Sequence, residues 1–197
     1  SGPPIEDQTL IASNNIVDKD GIGDFSYQWK RGNANINGAT ATTYTLTQVD
    51  VGAAITVTAS YTDGQSTSES VTSAATAAVA NVNDAPTGAV TISGMATEDQ
   101  VLTASNTLAD EDGLGNITYQ WHRTSSGTTT NINGATAATH TLTQADVDST
   151  ITVTASYTDG QGTAESATSA ATAAGANVND NPTGNVLITD SNLNVVQ

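Results

Sequence analysis

Apolar and polar residues alternate in short runs along most of this 197-residue chain. Aromatic residues alternate with Ser and Gln from Phe25 to Trp29, and every second residue is apolar from Ile55 to Tyr61. Such alternation predicts β-strands with one buried face. Asn-Gly pairs at Asn37 and Asn133 predict tight turns between strands. The pattern therefore predicts an all-β fold made of many short strands.

The pattern occurs twice, because the chain contains two copies of one sequence unit. The Asp-x-Asp-Gly run at Asp18 returns 92 residues later at Asp110, and the Tyr-Gln-Trp run ending at Trp29 returns at Trp121. Each copy closes with Asn-Val-Asn-Asp-x-Pro, at 81–86 and 177–182. Repeats of this length indicate tandem domains. We expect one domain at 1–84 and a second at 85–180.

The last segment, 181–197, is expected to be the first strand of a third repeat or a tail. Its residues 185–188 match 89–92, where the second repeat opens. The first repeat lacks this opening strand, because Ser1-Gly2 aligns with Ser93-Gly94. We therefore expect the chain to be part of a longer protein and the first domain to have a vacant sheet edge. Strand exchange between molecules is one way to fill that edge.

Charge and composition limit the functions that this fold could have. Twenty acidic and four basic residues give a net charge of −16, whereas nucleic acids and anionic membranes bind clustered Lys and Arg. A cation is the expected partner instead. No apolar run approaches the roughly 18 residues of a membrane span. With no Cys and two His that do not recur between the copies, no catalytic triad can be assigned, and we do not expect an enzyme.

Short strands at regular spacing, with one Trp on the third strand of each copy, predict a sandwich of two sheets. The expected fold class is all-β, with two tandem immunoglobulin-like β-sandwich domains. Cadherin-like and fibronectin-like variants of the sandwich fit equally well. The Cys pair of immunoglobulin domains is absent, so both cores must depend on packing alone.

Most acidic residues fall in turns, loops and the linker, whereas Thr, Ser and Gln fill the outward strand positions. In immunoglobulin strand order, these acidic segments converge where the first domain meets the second. The expected junction comprises Glu6, Asp7, Asp50, Asn81, Asn83, Asp84, Asp110, Asp112 and Asp159. The matching loops of the first repeat carry Asp18, Asp20 and Asp63. Oxygen-rich clusters suit Ca²⁺, which takes 6–8 oxygen ligands, although Asp and Gly also simply form turns.

Together, Asp-x-Asp-Gly, Tyr-Gln-Trp and Asn-Val-Asn-Asp-x-Pro resemble the immunoglobulin-like or cadherin-like tandem repeats of giant bacterial surface adhesins, of the type I-secreted, repeats-in-toxin kind. The resemblance covers essentially the whole chain, but Asn81 stands where the cadherin linker has Asp. It implies an extracellular protein of the bacterial cell surface. Calcium would stiffen such repeats into a spacer that holds an adhesive domain away from the cell, with neighbouring repeats of the same chain as partners.

A second function remains open because the second repeat has four extra residues near 124–130. This polar insertion lengthens a hairpin and could shape a contact with carbohydrate or protein. The alternative is a hairpin of variable length without a ligand. The two hypotheses are therefore a calcium-stiffened spacer and a binding module that uses loops of the second domain.

Overall fold

The structure is a computed structural model that describes residues 4–184 and 186. Over these residues the chain is all-β, as predicted, and its helical segments are two single 3-10 turns, Gln48–Asp50 and Gln144–Asp146. No helix of the described chain is long and apolar enough to cross a membrane. The predicted strand at 185–188 and the rest of the tail lie outside the described residues, apart from Val186.

From residue 4 to residue 84, the first repeat contains six strands in two sheets. They are β1 (Thr9–Ile11), β2 (Ser26–Arg31), β3 (Ala34–Asn35), β4 (Thr43–Thr45), β5 (Ile55–Thr62) and β6 (Ser68–Thr72). One sheet pairs β1 with β4, and the other has the order β3-β2-β5-β6. All of these pairings are antiparallel.

The second repeat contains seven strands, and the first of them has no counterpart among the described residues of the first repeat. They are β7 (Val90–Ser93), β8 (Val101–Asn106), β9 (Thr118–Ser125), β10 (Thr128–Asn131), β11 (Thr139–Thr141), β12 (Thr150–Thr158) and β13 (Ala164–Thr168). One sheet has the order β7-β8-β11 and the other β10-β9-β12-β13. The pairings of β8 and β9 with their neighbours are antiparallel.

In the first repeat, side chains from both sheets share one core. The ring of Trp29 on β2 lies 5.8 Å, centroid to centroid, from the ring of Tyr44 on β4. Leu46, Ile55 and Val79 complete the buried cluster around Trp29. Two sheets that face each other across an apolar core are consistent with a β-sandwich.

The second repeat has the same arrangement, with His140 in the place of Tyr44. Trp121 is fully buried, and its ring lies 5.7 Å from the ring of His140 on β11. The other side chains with 0–1% exposure at this core are Leu102, Leu142, Ile151, Val153 and Ala155. Both Trp residues are therefore core residues, as the alternation predicted.

The four-residue insertion of the second repeat forms a regular hairpin. Strands β9 and β10 have 8 and 4 residues, whereas β2 and β3 have 6 and 2. The turn residues Ser126 and Gly127 both have positive φ, 49° and 78°, as in the tight turns that close twisted hairpins. The insertion thus adds two residues to each strand, and no specific observation favours a ligand there.

The described chain divides into two compact units that do not follow the repeats. The first unit runs to Thr87 and also contains Ala109–Asn116 and Tyr157–Glu165, which are loop segments of the second repeat with the adjoining ends of β12 and β13. The second unit contains Gly88–Leu108, Ile117–Ser156 and the residues from Ser166 onwards. The domain boundaries at 84 and 180 stay a prediction.

Candidate cation site

At one end of the first repeat, Glu6 is buried against the start of the linker. Ile5 and Ala80 form an isolated parallel bridge, and the Glu6 N–H donates to the Ala80 carbonyl oxygen at 2.9 Å. The Glu6 side chain is only 4% exposed. Its Oε2 accepts a hydrogen bond from the Val82 N–H at 3.3 Å. The backbone bridge therefore holds one carboxylate beside the linker.

Two loops of the second repeat approach each other backbone to backbone. The Gly160 N–H donates to the Asp112 carbonyl oxygen at 3.0 Å, and a Cβ on Gly160 would lie 2.6 Å from that oxygen. A Cβ on Gly115 would lie 2.0 Å from the Thr158 carbonyl oxygen. Only glycine allows such close approach. The glycines of the Asp-x-Asp-Gly-x-Gly and Asp-Gly runs therefore bring the loop of Asp112 beside that of Asp159.

The linker lies against these loops. The Asp84 N–H donates to Oδ2 of Asp112 at 2.8 Å, and Nδ2 of Asn83 donates to Oε1 of Glu165 at 2.8 Å. All four residues belong to the first compact unit. The structure thus brings together the linker and the Asp110–Asp112 loop, which the sequence analysis expected to meet.

Three buried side-chain oxygens of this region have no hydrogen-bond partner within the described chain. They are Oδ1 of Asp112, Oδ2 of Asp159 and Oδ1 of Asn81. Asp112 is 4% exposed and Asp159 is 6% exposed. A buried acceptor without a donor costs roughly 1–3 kcal/mol, and a charged one costs more. A bound cation would satisfy these oxygens, because it interacts with carboxylate and amide oxygens alike.

The carboxylates also act on one another electrostatically. Desolvation by burial, and then the charges of Asp84, Asp7 and Asp112, raise the pKa of Glu6 above its ordinary value. Desolvation and the charges of Asp112 and Asp7 likewise raise the pKa of Asp84. Like charges crowded in this way disfavour ionisation, so the folded protein holds Glu6 and Asp84 ionised at a cost when nothing positive is bound.

Hydrogen bonds fix two further carboxylates of the region. Oδ1 of Asp159 accepts from the N–H groups of Gln161 and Thr163, at 2.9 and 2.7 Å. Burial alone would raise the pKa of Asp159, but these backbone donors outweigh it and hold the pKa below its ordinary value. Oδ2 of Asp110 accepts from the Tyr157 hydroxyl at 2.5 Å. Asp159 is therefore anchored through one oxygen, and its other oxygen remains available.

Asp50 has a different place from the one expected of a junction ligand. It is fully buried, and its Oδ1 accepts from Nε of Arg31 at 2.8 Å. Its Oδ2 accepts from the Tyr44 hydroxyl at 2.8 Å and the Thr47 N–H at 2.9 Å. Both oxygens are therefore satisfied inside the first repeat. We correct the assignment of Asp50 from a cation ligand to a core ion-pair residue.

Sequence reasoning missed this ion pair, although a signal was present. Only four residues are basic, and two of them, Arg31 and Arg123, stand two positions after the Trp of each repeat. Arg123 forms the matching pair in the second repeat, where its Nε donates to Oδ1 of Asp146 at 2.7 Å. Glu165 was also missed. No sequence pattern could have indicated it, because Glu69 occupies the matching position of the first repeat and is nevertheless exposed.

The remaining predicted residues are exposed or only half-buried. Asp7 is exposed, with a positive φ of 64°. In the first repeat, Asp20 is exposed and Asp63 is half-buried. Oδ2 of Asp18 accepts from the Tyr61 hydroxyl at 2.8 Å, which raises the pKa of Tyr61 to about 12. The acidic residues of these first-repeat loops therefore make the same local hydrogen bonds as their second-repeat counterparts, but they are less buried.

The described residues contain no group of three or more Asp, Glu or His side chains already drawn together as a metal site. Any cation would therefore have to draw the carboxylates of this region closer, or combine them with amide and carbonyl oxygens. Comparison with known proteins adds no identity, because no protein-family model matches the chain and a search of curated proteins finds no match.

Proposed function

We propose that this chain forms calcium-stiffened extender repeats of a bacterial cell-surface adhesin. One observation carries the proposal: Asp112 and Asp159 are buried, each with an unpaired carboxylate oxygen, where the linker residue Asp84 meets their loops. Burying unpaired carboxylates is unfavourable. A divalent cation bound to these carboxylates would make their burial favourable instead.

The ligands would come from both repeats and from the linker. Asp112 and Asp159 offer the unpaired oxygens, and Glu6 and Asp84 carry carboxylates whose pKa values are raised by their neighbours. Asn81 adds an unpaired amide oxygen. Such a mixed set of oxygens is what Ca²⁺ takes in proteins, with 6–8 ligands in flexible geometry.

Binding would stabilise the fold and the junction together. A ligand that binds only the folded state adds stability by mass action, about 2.7 kcal/mol at a concentration 100 times its Kd. Extracellular modules bind calcium with Kd values on the order of 10⁻⁴–10⁻³ M. Millimolar calcium outside a cell would then fix the linker against the second repeat. Without calcium, the same carboxylates would push the linker and the loops apart.

The wider setting follows from the resemblance of the repeat motifs. We infer two tandem immunoglobulin-like, cadherin-like sandwiches in a secreted, extracellular protein, with neighbouring repeats of the same chain as the partners. Such repeats would act in series as a spacer between the cell and a distal adhesive domain. The proposed role is mechanical and requires no catalytic group.

Calcium titration with two matched double variants tests the site. In Asp112→Asn/Asp159→Asn the charge of the buried pair is removed, and in Asp20→Asn/Asp63→Asn the same change is made at the less buried counterparts. We expect calcium to raise the Tm of the wild-type chain and of the first-repeat variant by several degrees. The second-repeat variant should lose most of that rise, as measured by calorimetry and by calcium affinity in isothermal titration.

The spacer role needs a measurement of shape as well. Small-angle scattering should give a larger maximum dimension with calcium than with chelator, and the Asp112→Asn/Asp159→Asn chain should show no such change. Identical melting and scattering curves with calcium and chelator would refute the proposal. Equal losses in both double variants would refute the assignment of the site to the second repeat.

A further inference from the structure

Each repeat contains one Asn-Gly pair, and the two pairs have the same surroundings. Asn37 and Asn133 are exposed, and so are the glycines that follow them. Both glycines have a φ of 74°, and a Cβ added to either would meet nothing within 4 Å among the described residues. In the first repeat, the Ala39 N–H donates to the Ile36 carbonyl oxygen at 3.2 Å. Asn-Gly therefore occupies the central positions of a β-turn, where positive φ at the second position favours glycine.

The N–H groups of these two glycines donate to no backbone carbonyl oxygen within the described chain. The chain also has four Asp-Gly pairs, and in all four the glycine N–H does donate to a backbone carbonyl oxygen. These donors are Gly21, Gly64, Gly113 and Gly160, at 3.4, 2.9, 3.1 and 3.0 Å. The glycine nitrogen is therefore free in the Asn-Gly pairs and engaged in the Asp-Gly pairs.

This difference matters because an asparagine followed by glycine can react with its own main chain. The glycine nitrogen attacks Cγ of the asparagine, a new N–C bond forms, and the side-chain nitrogen leaves as ammonia with the proton of the glycine N–H. Water then opens the cyclic imide at one of its two carbonyl carbons. The product is aspartate or isoaspartate, in which the main chain runs through the side-chain carboxyl carbon. Glycine favours the attack because it has no Cβ to crowd the nitrogen, and aspartate reacts in the same way with water as the leaving group.

We propose that Asn37 and Asn133 are sites of spontaneous deamidation in the folded protein, whereas the four Asp-Gly pairs are protected from the equivalent isomerisation. The glycine nitrogens of the Asn-Gly turns have no backbone hydrogen bond to give up before they attack. Those of the Asp-Gly pairs must first lose their hydrogen bonds, which requires local opening of the loops. The reaction consumes only water and does not depend on calcium.

The products would act on the core, because both ends of each turn are hydrogen-bonded to a core tryptophan. Trp29 donates its N–H to the Ala39 carbonyl oxygen at 2.9 Å, and its carbonyl oxygen accepts from the Ile36 N–H at 2.9 Å. Trp121 makes the same two bonds around the turn of Asn133, at 3.0 and 2.9 Å. Isoaspartate adds one main-chain carbon between these bonds and so disturbs them. Ordinary aspartate adds a charge at an exposed position and leaves the length of the main chain unchanged.

Peptide mapping by mass spectrometry, with enzymatic labelling of isoaspartate, tests the sites. The full chain is incubated at mildly alkaline pH in its folded state and in urea, and the ratio of the unfolded to the folded rate is measured at each pair. We expect this ratio to be within about threefold of unity for the Asn-Gly pairs and above about tenfold for the Asp-Gly pairs, which react only after local opening. In the folded chain, Asn33, an exposed asparagine followed by alanine, should react several-fold more slowly than Asn37. Equal ratios for the two kinds of pair overturn the proposal.

The melting temperature tests the effect on the core. The aged wild-type chain should melt several degrees below the fresh chain, whereas Asn37→Gln/Asn133→Gln, which would have to close a larger ring, should melt equally before and after ageing. Fresh Asn37→Asp/Asn133→Asp carries the charge without the added carbon and should melt within about 2 °C of the fresh wild-type chain. An aged wild-type chain that contains isoaspartate and melts like the fresh one would contradict the role of the turns. So would an equal fall in either variant.

Discussion

The two copies of the Asp-x-Asp-Gly loop have nearly the same sequence and different surroundings. Asp112 and Asp159 are 4% and 6% exposed, whereas their counterparts Asp20 and Asp63 are exposed and half-buried. The local hydrogen bonds nevertheless agree. The Tyr61 and Tyr157 hydroxyls donate to matching Asp residues, and Oδ1 of Asp63 and of Asp159 each accepts two backbone N–H groups.

The hydrogen bonds of these loops depend on the repeat's own sequence, whereas their burial depends on the linker that packs against them. Glycine contacts and tyrosine hydroxyls arise within each repeat, so they are the same in both copies. Burial arises only where the linker lies on the loops, through the hydrogen bond from the Asp84 N–H to Asp112. The loops of the second repeat therefore build one part of the proposed cation site, and the linker supplies the rest.

The two copies of the linker motif differ in the same sense. Asn81 and Asp84 are half-buried, whereas Asn177 and Asp180 are exposed. Oδ1 of Asn177 accepts from Nε2 of Gln144 at 3.2 Å. Oδ1 of Asn81 is buried and has no partner among residues 4–184. The side-chain oxygen that is hydrogen-bonded at Asn177 is thus without a partner at Asn81 among the described residues.

The largest expected effect concerns a feature that the repeats share. Asp50→Ala and Asp146→Ala each remove the acidic partner of a core ion pair, at sites that are 0% and 1% exposed. Breaking a buried pair costs about 3–5 kcal/mol, and we expect similar losses in both variants by urea denaturation. The pairs close within each repeat, so calcium should not change either loss. A calcium-dependent loss in Asp50→Ala would return Asp50 to the cation site.

A smaller effect should distinguish the repeats. Leu102 is fully buried beneath a three-stranded sheet, whereas its counterpart Leu10 is half-buried in a two-stranded one. Burial of a Leu side chain and the cavity left by its removal together contribute about 2–5 kcal/mol. We expect Leu102→Ala to lower the free energy of unfolding by an amount in that range, and Leu10→Ala to lower it by less. Denaturant unfolding at low protein concentration measures both losses. If the two substitutions cost the same, the smaller sheet around Leu10 does not weaken the first core, and the comparison between the repeats fails at that point.

The sequence predicted most of the fold, because alternation and repetition are local signals. The strands at Trp29 and Ile55 and the burial of both Trp residues follow from the positions of apolar side chains, and turns lie at both Asn-Gly pairs as predicted. The meeting of the linker with the Asp110–Asp112 loop also followed, because sandwich strand order fixes which loops share an end.

The roles of individual carboxylates could not be predicted in the same way. Asp50 and Asp84 are both acidic residues beside turns, and only the fold shows that Arg31 lies against the first and Asp112 against the second. Likewise, nothing in the sequence distinguishes Glu165 from its exposed counterpart Glu69. Burial and partners depend on contacts between residues distant in the chain, and a single sequence does not reveal those contacts.

The smallest expected effect is on pH dependence and isolates the crowded carboxylates. In the fold, the pKa of Glu6 and that of Asp84 are raised from ordinary values of 4.5 and 3.8. The folded state then binds protons more tightly than the unfolded state. Their stabilising contribution is complete below the unfolded pKa values and is lost as pH rises through the folded ones. In chelator, acidification from pH 7 towards 4.5 should therefore raise the stability contributed by these groups.

Other acidic groups act at lower pH and in the opposite direction. The pKa values of Asp50 and Asp146 are lowered, because donors in the core outweigh their desolvation. Their contribution is present above the ordinary pKa of 3.8 and is lost as pH falls through the lowered values. The two pH ranges therefore do not overlap. Of these four carboxylates, only Glu6 and Asp84, whose pKa values are raised, change the stability between pH 7 and 4.5.

The variants Glu6→Gln and Glu98→Gln separate the crowded carboxylate from its counterpart. Both side chains are buried, and each accepts one N–H from its own linker, Val82 or Val178. In chelator at pH 7, Glu6→Gln should melt about 2 °C above the wild-type chain, with the gap closing towards pH 4.5. Glu98→Gln is the control for replacing a buried carboxylate that accepts a linker N–H, and its melting temperature relative to the wild-type chain sets the scale for Glu6→Gln. With calcium, Glu6→Gln should instead melt below the wild-type chain, since the charge of Glu6 then favours the bound ion. A gap that is constant with pH would mean that Glu6 packs beside the linker without being part of the electrostatic cluster.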